Sequence, residues 1–341
     1  MRVPRWTALV GVVLAATALA AFAGAAPANV RIAVVTDIGG VNDKGFNSLA
    51  NQGRRRADRR PGVNTRIYIT NAASERQPNL VAAARARHGL VFGVGFLMFD
   101  SIGRVATAFP NVQFAGIDIP VEAVPENSGI NLRNVRGLIF REQEAGYLVG
   151  YIAGLVLKQE RGRDVVSAVG ANQVPAIVRF IAGYRAGVKR AHRRATVLVG
   201  YANDPTFADQ AKCKEVALNQ IQRGSRVVFQ VAGGCGLGAL SAARERRVWG
   251  IGVDADQGYL GRHMLTSATK KVDVAVVQTT RAFQRNPRGF RGGFDFTFTV
   301  KNGGVGYGTV AKRLKNRKAI IRKTEAIKRL IVRGKIKPPT K

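Results

Sequence analysis

Between Asp37 and Asn47 the chain reads DIGGVNDKGFN, which sets two aspartates, two asparagines, three glycines and Phe46 in one short connection. A segment that only reverses direction has no use for so many hydrogen-bonding groups around one aromatic ring. Glycines let the backbone come close to a bound molecule. Carboxylates accept hydrogen bonds from hydroxyl or N–H groups, and carboxamides both donate and accept. The set suits recognition of a small polar molecule. Four further stretches share its character: Asp118 follows QFAGI, Asn203–Phe207 follows ATVLVGY, Gly233–Gly238 follows VVFQVA, and Asp254 and Asp256 follow VWGIGV. Each alone is ordinary turn chemistry. Their recurrence behind five apolar runs points to one polar ligand.

The elements that must position these groups follow from the runs themselves. Strands are expected over 30–35, 65–70, 89–94, 113–117, 165–169, 196–201, 226–232 and 248–253. Most are continuous β-branched or aromatic stretches, the mark of strands covered on both faces. Helical patterns lie between them, as at 142–157, where Tyr147, Leu148, Tyr151, Ile152 and Leu155 share one face. Such alternation builds parallel sheets with right-handed crossovers. The chain is too long for one such sheet, so two doubly wound lobes are expected. In open α/β sheets the ligand sits beyond the carboxyl ends of the strands, where the polar groups collect here.

Composition bounds the function. The 341 residues carry 54 Lys+Arg against 21 Asp+Glu, a formal charge of +33. The cations are spread over the chain without an RNA-binding or zinc-finger signature, so the excess reads as a solvated surface and no nucleic-acid partner is expected. Residues 1–26 open with Arg2 and Arg5, continue with an apolar stretch from Ala8 to Phe22 and end in small residues, the pattern of a secretory signal. This implies an exported protein, in the periplasm or on the outer face of the cell membrane, with an uncleaved membrane anchor as the alternative reading of the segment. No other segment approaches the ~18 apolar residues of a membrane span. Cys213 and Cys235 are the two cysteines. Outside the cytoplasm such a pair invites a disulfide, with two independent buried thiols as the alternative. From Val310 to Lys341 the chain is basic, yet Ile320, Ile321, Ile327, Leu330 and Ile331 recur at helical spacing before Gly334. A docked helix with a basic outer face is expected there.

The stretch VTDIGGVNDKGFNSLANQG (35–53) resembles the opening signature of the basic membrane protein family, the nucleoside-binding substrate-binding proteins of ABC importers. Further likenesses run in order through FAGID (114–118), FREQEAGYLVGYIAG (140–154), VAGGCGLG (231–238), GVDADQGYL (252–260), LTSATKKVDVAV (265–276), FTVKNGGVGYG (298–308) and IVRGKIKPP (331–339). The resemblance implies a type I periplasmic-binding fold, two lobes joined by a hinge that the chain crosses three times. Residues 27–121 with 253–284 would form the N-terminal lobe, and 122–252 with 285–341 the C-terminal lobe. It implies a purine nucleoside in the cleft, with Phe46 on one face of the base and Phe207 on the other, a contact of ~1–3 kcal/mol per base. Asp37 and Asn47 resemble the base- and sugar-edge contacts, and Asp118 and Asp254 the carboxylates that receive ribose hydroxyls. Gly234 would bring backbone to the ligand. Lys270 would donate to the ribose, with Lys271 as the alternative if the register slips by one. Asp43 and Asp256 are read as structural. The implied partner is a membrane permease and the implied state a monomer, without cofactor or metal. In three respects the chain departs from the family. It has no cysteine for lipid attachment near the cleavage point, it has Lys44-Gly45 where relatives often carry a small polar residue before Phe46, and it has Cys213 and Cys235 where relatives carry small residues, which suggests a bond between ligand-side loops.

Other readings have less behind them. Gly234-Cys235-Gly236-Leu237-Gly238-Ala239 satisfies G-x-G-x-x-A, and Asp254 stands about twenty residues on, as in dinucleotide-binding enzymes. The motif falls two thirds along the chain rather than at the first strand, and export removes the protein from the cofactor pool. His88, His192 and His263 are scattered, with no H-E-x-x-H or G-x-S-x-G, so no catalysis is expected. The same fold holding a sugar or another small polar solute remains the alternative ligand class.

Overall fold

In a computed structural model, residues 28–122 and 132–341 are described. The expected signal segment, 1–26, lies outside them. Two six-stranded sheets organise the chain. The first has the order β2 (Val63–Tyr68), β1 (Val30–Val35), β3 (Leu90–Val94), β4 (Gln113–Ile117), β5 (Val135–Phe140) and β11 (Phe294–Phe298), all parallel. The second runs β7 (Thr196–Tyr201), β6 (Val165–Gly170), β8 (Ser225–Val231), β9 (Trp249–Asp254), β10 (Met264–Lys270) and β12 (Val305–Tyr307), with β12 antiparallel at its edge.

Helices cover these sheets because central parallel strands are apolar on both faces. Every residue of β3 and of β9 is buried. On the first sheet, α1 (Phe46–Asp58) packs with α8 (Val272–Arg285), while α2 (Arg76–Arg85) packs with α3 (Phe99–Ala108). The second lobe carries α4 (Glu142–Gln159), α5 (Pro175–Ala191), α6 (Gln210–Gln222), α7 (Gly236–Glu245) and α9 (Arg317–Val332). Gly146, Gly150, Gly183 and Gly187 let the backbones of α4 and α5 touch; a Cβ on Gly150 would stand 2.2 Å from the carbonyl oxygen of Tyr184. As expected, α9 docks through Ile320, Ile327 and Ile331 and stops before Gly334, whose φ of +70° only glycine adopts freely.

The lobe boundaries differ from expectation. β5 lies in the first sheet although 122–252 was assigned to the second lobe. β10 belongs to the second sheet although 253–284 was assigned to the first, and β11 returns to the first sheet. The chain crosses between lobes at Arg141, at Lys271 and across 299–304. The first two crossings are single residues between a strand and its following helix, so they look like any βα junction. These crossings are tied together. Arg141 N donates to Phe298 O at 2.9 Å, Lys271 N to Gly304 O at 2.8 Å, and Val300 N to the buried Glu144 Oε2 at 2.7 Å. Phe140 stacks on Phe298 with ring centroids 4.7 Å apart.

Candidate functional site

Strand exits from both sheets meet in one cavity between the lobes, with about 110 Å³ open to the centre of a water molecule. That is room for several waters or one compact ring-bearing solute. The first lobe supplies Asp37 and Phe46 with their loop, Gly95–Leu97 after β3, and Asp118 after β4. The second supplies Val174, Phe207, Val231–Gly234, Asp254 and Lys270 from the exits of β6 to β10. The eight residues singled out in the sequence, Asp37, Phe46, Asn47, Asp118, Phe207, Gly234, Asp254 and Lys270, all line it. Asn203 and Asp256 do not. Asp256 instead accepts Thr309 N and Oγ1 at 2.9 and 2.7 Å, and Lys271 sits in the hinge.

The loop before α1 is folded by its own polar side chains. Asp43 accepts N–H groups from Gly45, Asn47 and Ser48 at 2.7–3.0 Å, satisfying the first turn of α1. Burial pushes its carboxyl above the usual range, and those bonds oppose the rise. Asn47 Nδ2 donates to the carbonyls of Asp37 and Ile38 at 3.3 and 3.2 Å. Asp37 Oδ1 accepts Ile38 N at 2.8 Å and Arg76 Nε at 2.7 Å. On the other lobe, Asp204 accepts N–H groups from Thr206, Ala208 and Asp209 at 2.8–2.9 Å and thereby turns Phe207 into the cleft. Phe207 holds a φ of +58°, a strained value for a bulky residue.

Asp118 and Asp254 occupy equivalent places, just past β4 and at the end of β9, with φ of +64° and +62°. Aspartate tolerates this left-handed backbone better than most residues. Their surroundings then diverge. Asp118 Oδ2 accepts from Lys270 Nζ at 2.6 Å, an ion pair that spans the lobes. The same ammonium donates to Glu142 Oε1 at 2.9 Å and lies 5.0 Å from the Phe46 ring centre and 4.8 Å from that of Phe140. Arg179 Nη1 stands 3.5 Å from Glu142 Oε2. Burial alone would lower the Lys270 pKa, but Asp118, Glu142 and Asp254 together raise it, so the ammonium stays charged. Burial raises Glu142, against the pull of Lys270 and Arg179. Asp254 has no hydrogen-bond donor to its side chain among the described residues. Burial pushes its carboxyl up to about 7, Lys270 opposing and Asp43, Asp118 and Glu142 reinforcing the rise.

The cavity wall thus holds four aspartates and one lysine in a chain of charge +33. Its free acceptors suit hydroxyl and N–H donors, and its rings suit a flat apolar face. Two further contacts close it. Gln257 Nε2 donates across the cleft to Lys44 O at 3.0 Å, and Gly45 comes so near that a Cβ would lie 3.4 Å from Asp254 Oδ2. Beneath the site a disulfide joins Cys213 in α6 to Cys235 at the start of α7, with Cα atoms 5.6 Å apart. It ties the helix after the Phe207 loop to the loop that holds Gly234.

Sequence reasoning missed Arg76, Glu142, Arg179 and Gln257. Glu142 had a signal: it follows β5 by one residue, and recognising VRGLIF as a strand would have made it another polar strand exit. Gln257 had the same signal, three residues past β9 and beside Asp256; Arg76 carries no such mark, since it acts through Asp37, distant in sequence.

Two parallel α/β lobes, a hinge crossed three times and a polar cavity at the facing strand ends define a solute-binding protein of the kind that serves ABC transporters. A solved ABC transporter solute-binding protein from Aeropyrum pernix K1 superposes with a TM-score of 0.77 at 26% identity, covering 92% of this chain and 94% of its own. The chain belongs to the Bmp family of PnrA-like ABC transporter substrate-binding proteins, whose sequence model matches residues 30–339. The CD4+ T-cell-stimulating antigen of Listeria monocytogenes serovar 1/2a is 33% identical over 91% of this chain and 88% of its own length. The ABC transporter nucleoside-binding protein BmpA of Lactococcus lactis subsp. cremoris is 30% identical over 93% and 91%. The family is extracytoplasmic and non-enzymatic; its members bind small solutes and work with a permease. The dinucleotide-enzyme reading of Gly234–Ala239 is thereby set aside. Among the described residues no helix is long and apolar enough to cross a membrane.

Proposed function

We propose that this protein binds a purine nucleoside between its lobes, outside the cytoplasmic membrane, and delivers it as a monomer to an ABC permease. The observation that carries this reading is the chemistry gathered in one cavity. The rings of Phe46 and Phe207 line it together with the Asn47 carboxamide, the carboxylates of Asp37, Asp118 and Asp254 and the Lys270 ammonium. A flat base suits the rings. A vicinal diol, with two hydroxyl donors, suits the carboxylates. The name of the Lactococcus relative agrees with it.

Closure follows from the same contacts. A solute touching both lobes favours the closed arrangement by the difference in its affinity for the closed and open forms. The Asp118–Lys270 pair and the Gln257–Lys44 bond join the two lobes, so they favour the same closed arrangement. The closed form is then the one presented to the permease. A thermal-shift screen of inosine, guanosine and adenosine against ribose, arabinose and glucose tests the ligand class. A saturating ligand at a hundredfold excess over Kd stabilises by ~2.7 kcal/mol. Shifts with the sugars and none with the nucleosides would reject the nucleoside and leave a sugar in its place.

A further inference from the structure

Arg76 begins α2, a segment to which no binding role attaches, and it stands outside the cavity wall. Its guanidinium nonetheless reaches the loop before α1 and donates from Nε to Asp37 Oδ1, with both side chains almost withdrawn from solvent, 13% and 12% exposed. Ile38 N donates to the same oxygen at 2.8 Å, so Oδ1 already serves two donors. Oδ2 has no donor among the described residues. It lies where a Cβ on Gly95 would be 3.4 Å away, and that same Cβ would be 3.6 Å from Cε1 of Phe46. Gly95, Phe46 and Asp37 all line the cavity. The carboxylate therefore has one oxygen fastened from behind and one left beside the edge of the Phe46 ring. Asn47 fastens the backbone under it by gripping the carbonyls of Asp37 and Ile38.

We propose that Arg76 is a specificity-determining residue: by clamping Asp37 it fixes one acceptor oxygen against the edge of a base stacked on Phe46, and so favours purine nucleosides that carry an N–H on that edge. The proposal rests on the nucleoside reading and deepens it. A fixed, desolvated acceptor gains a hydrogen bond from an N–H donor. It is left unpaired by a C–H and repelled by the lone pair of a ring nitrogen, and unpaired buried groups are what make such sites discriminating. Without the clamp, the carboxylate can turn about its side-chain bonds to another partner or to water, and the discrimination falls. Arg76 acts through Asp37 without touching the ligand, which makes it a positioning residue.

Inosine, which has N1–H, and purine riboside, which has the same sugar but no N–H on the base's six-membered ring, separate this role from a structural one. Titration calorimetry on the wild-type protein should show inosine binding some ten- to a hundredfold more tightly, the range of one hydrogen bond to a charged group. In Arg76→Met the ratio should shrink to within about threefold, chiefly through weaker inosine binding, while purine riboside affinity changes little. Arg76→Lys, which keeps the charge, should recover part of the ratio. Equal binding of the two nucleosides by the wild type, or an unchanged ratio in Arg76→Met, overturns the proposal; where the methionine variant fails to fold, Arg76→Gln is read in its place, with the same ratio expected and the same result overturning it. Binding of neither nucleoside, with a sugar bound instead, removes the nucleoside reading and the proposal together.

Discussion

Replacing Asp254 by asparagine should make the empty protein more stable and its ligand complex weaker, two effects of opposite sign from one substitution. The residue is 7% exposed, and its side chain has no hydrogen-bond donor among the described residues. Burial lifts its pKa from 3.8 to about 7. An acid whose pKa is higher in the folded state binds more protons there, so its contribution to stability falls as pH rises between those values and the full penalty stands above them. At 1.36 kcal/mol per pKa step the penalty is at most about 4 kcal/mol. Asparagine recovers less than that, because Lys270, which has Asp254 among the acids that hold it charged, is left with one fewer. We expect Asp254→Asn without ligand to gain about 1–3 kcal/mol at about pH 8 and less than half of that at about pH 5. Ribose hydroxyls facing Asp254 would lose a charge-assisted bond of ~1.5–3 kcal/mol, weakening binding roughly 10- to 150-fold. Because the hydroxyl donates to the ionised form, wild-type affinity should rise from about pH 6 to about pH 8, and that of the variant should stay flat. Chemical denaturation at the two pH values, with calorimetric titration of inosine, reads both effects. A variant less stable than its parent at pH 8, or one that binds inosine within about twofold of it, refutes the reasoning.

Other substitutions test separate parts of the molecule. Phe46→Ala should cost ~1–3 kcal/mol of nucleoside affinity through lost stacking, with similar losses for different bases, as measured by titration. Gln257→Leu removes the bond to Lys44 O across the cleft and leaves Gln230 Nε2 and Val253 N without the Gln257 Oε1 acceptor; stopped-flow kinetics should show dissociation a few-fold faster, and denaturant titration a stability loss of about 1–3 kcal/mol. The disulfide closes a loop with a sequence separation of 22, so a Cys213→Ser, Cys235→Ser double variant should lose about 3 kcal/mol in denaturant titration. Gly150→Ala sets a methyl 2.2 Å from backbone oxygen in the α4–α5 contact and should cost about 3 kcal/mol or prevent folding, visible as a fallen melting temperature.

What could be read without coordinates depended on how strongly each strand advertised itself. β3 and β9 are buried along their whole length and are largely apolar runs; Gly95–Leu97 behind β3 and Asp254 at the end of β9 proved to line the site, whereas Asp256 did not. β10, MLTSATK, is just as buried, but its threonines and serine break the apolar signal, and Thr266 and Ser267 find hydrogen-bond partners within the fold. Thr266 Oγ1, for instance, donates to Gly308 O at 3.2 Å. In β11, Phe294, Phe296 and Phe298 alternate with Asp295 and Thr297 at a sheet edge, where a run covered on both faces is not required. Lys270, at the end of β10, was therefore reached through family likeness alone. Glu142 was not reached, although it shares the ammonium with Asp118. Nor did a charge of +33 hint at a cavity with four aspartates, because total charge reports the solvated surface and says nothing about which few side chains face inward.

By itself the chain's order of residues determined the local features: apolar strands that must be covered on both faces, the turn-forming polar groups at their ends, and the glycines where backbones meet. These are set by neighbours within a few residues. Only the tertiary structure decided which sheet each strand joins, since the single residues Arg141 and Lys271 that pass between lobes have the form of ordinary junctions. It also decided the pairing of Lys270 with Asp118 and Glu142, 152 and 128 residues away, and of Arg76 with Asp37. A buried charge takes whichever partner the packing brings within reach, and that distance is not written in any one stretch of the chain.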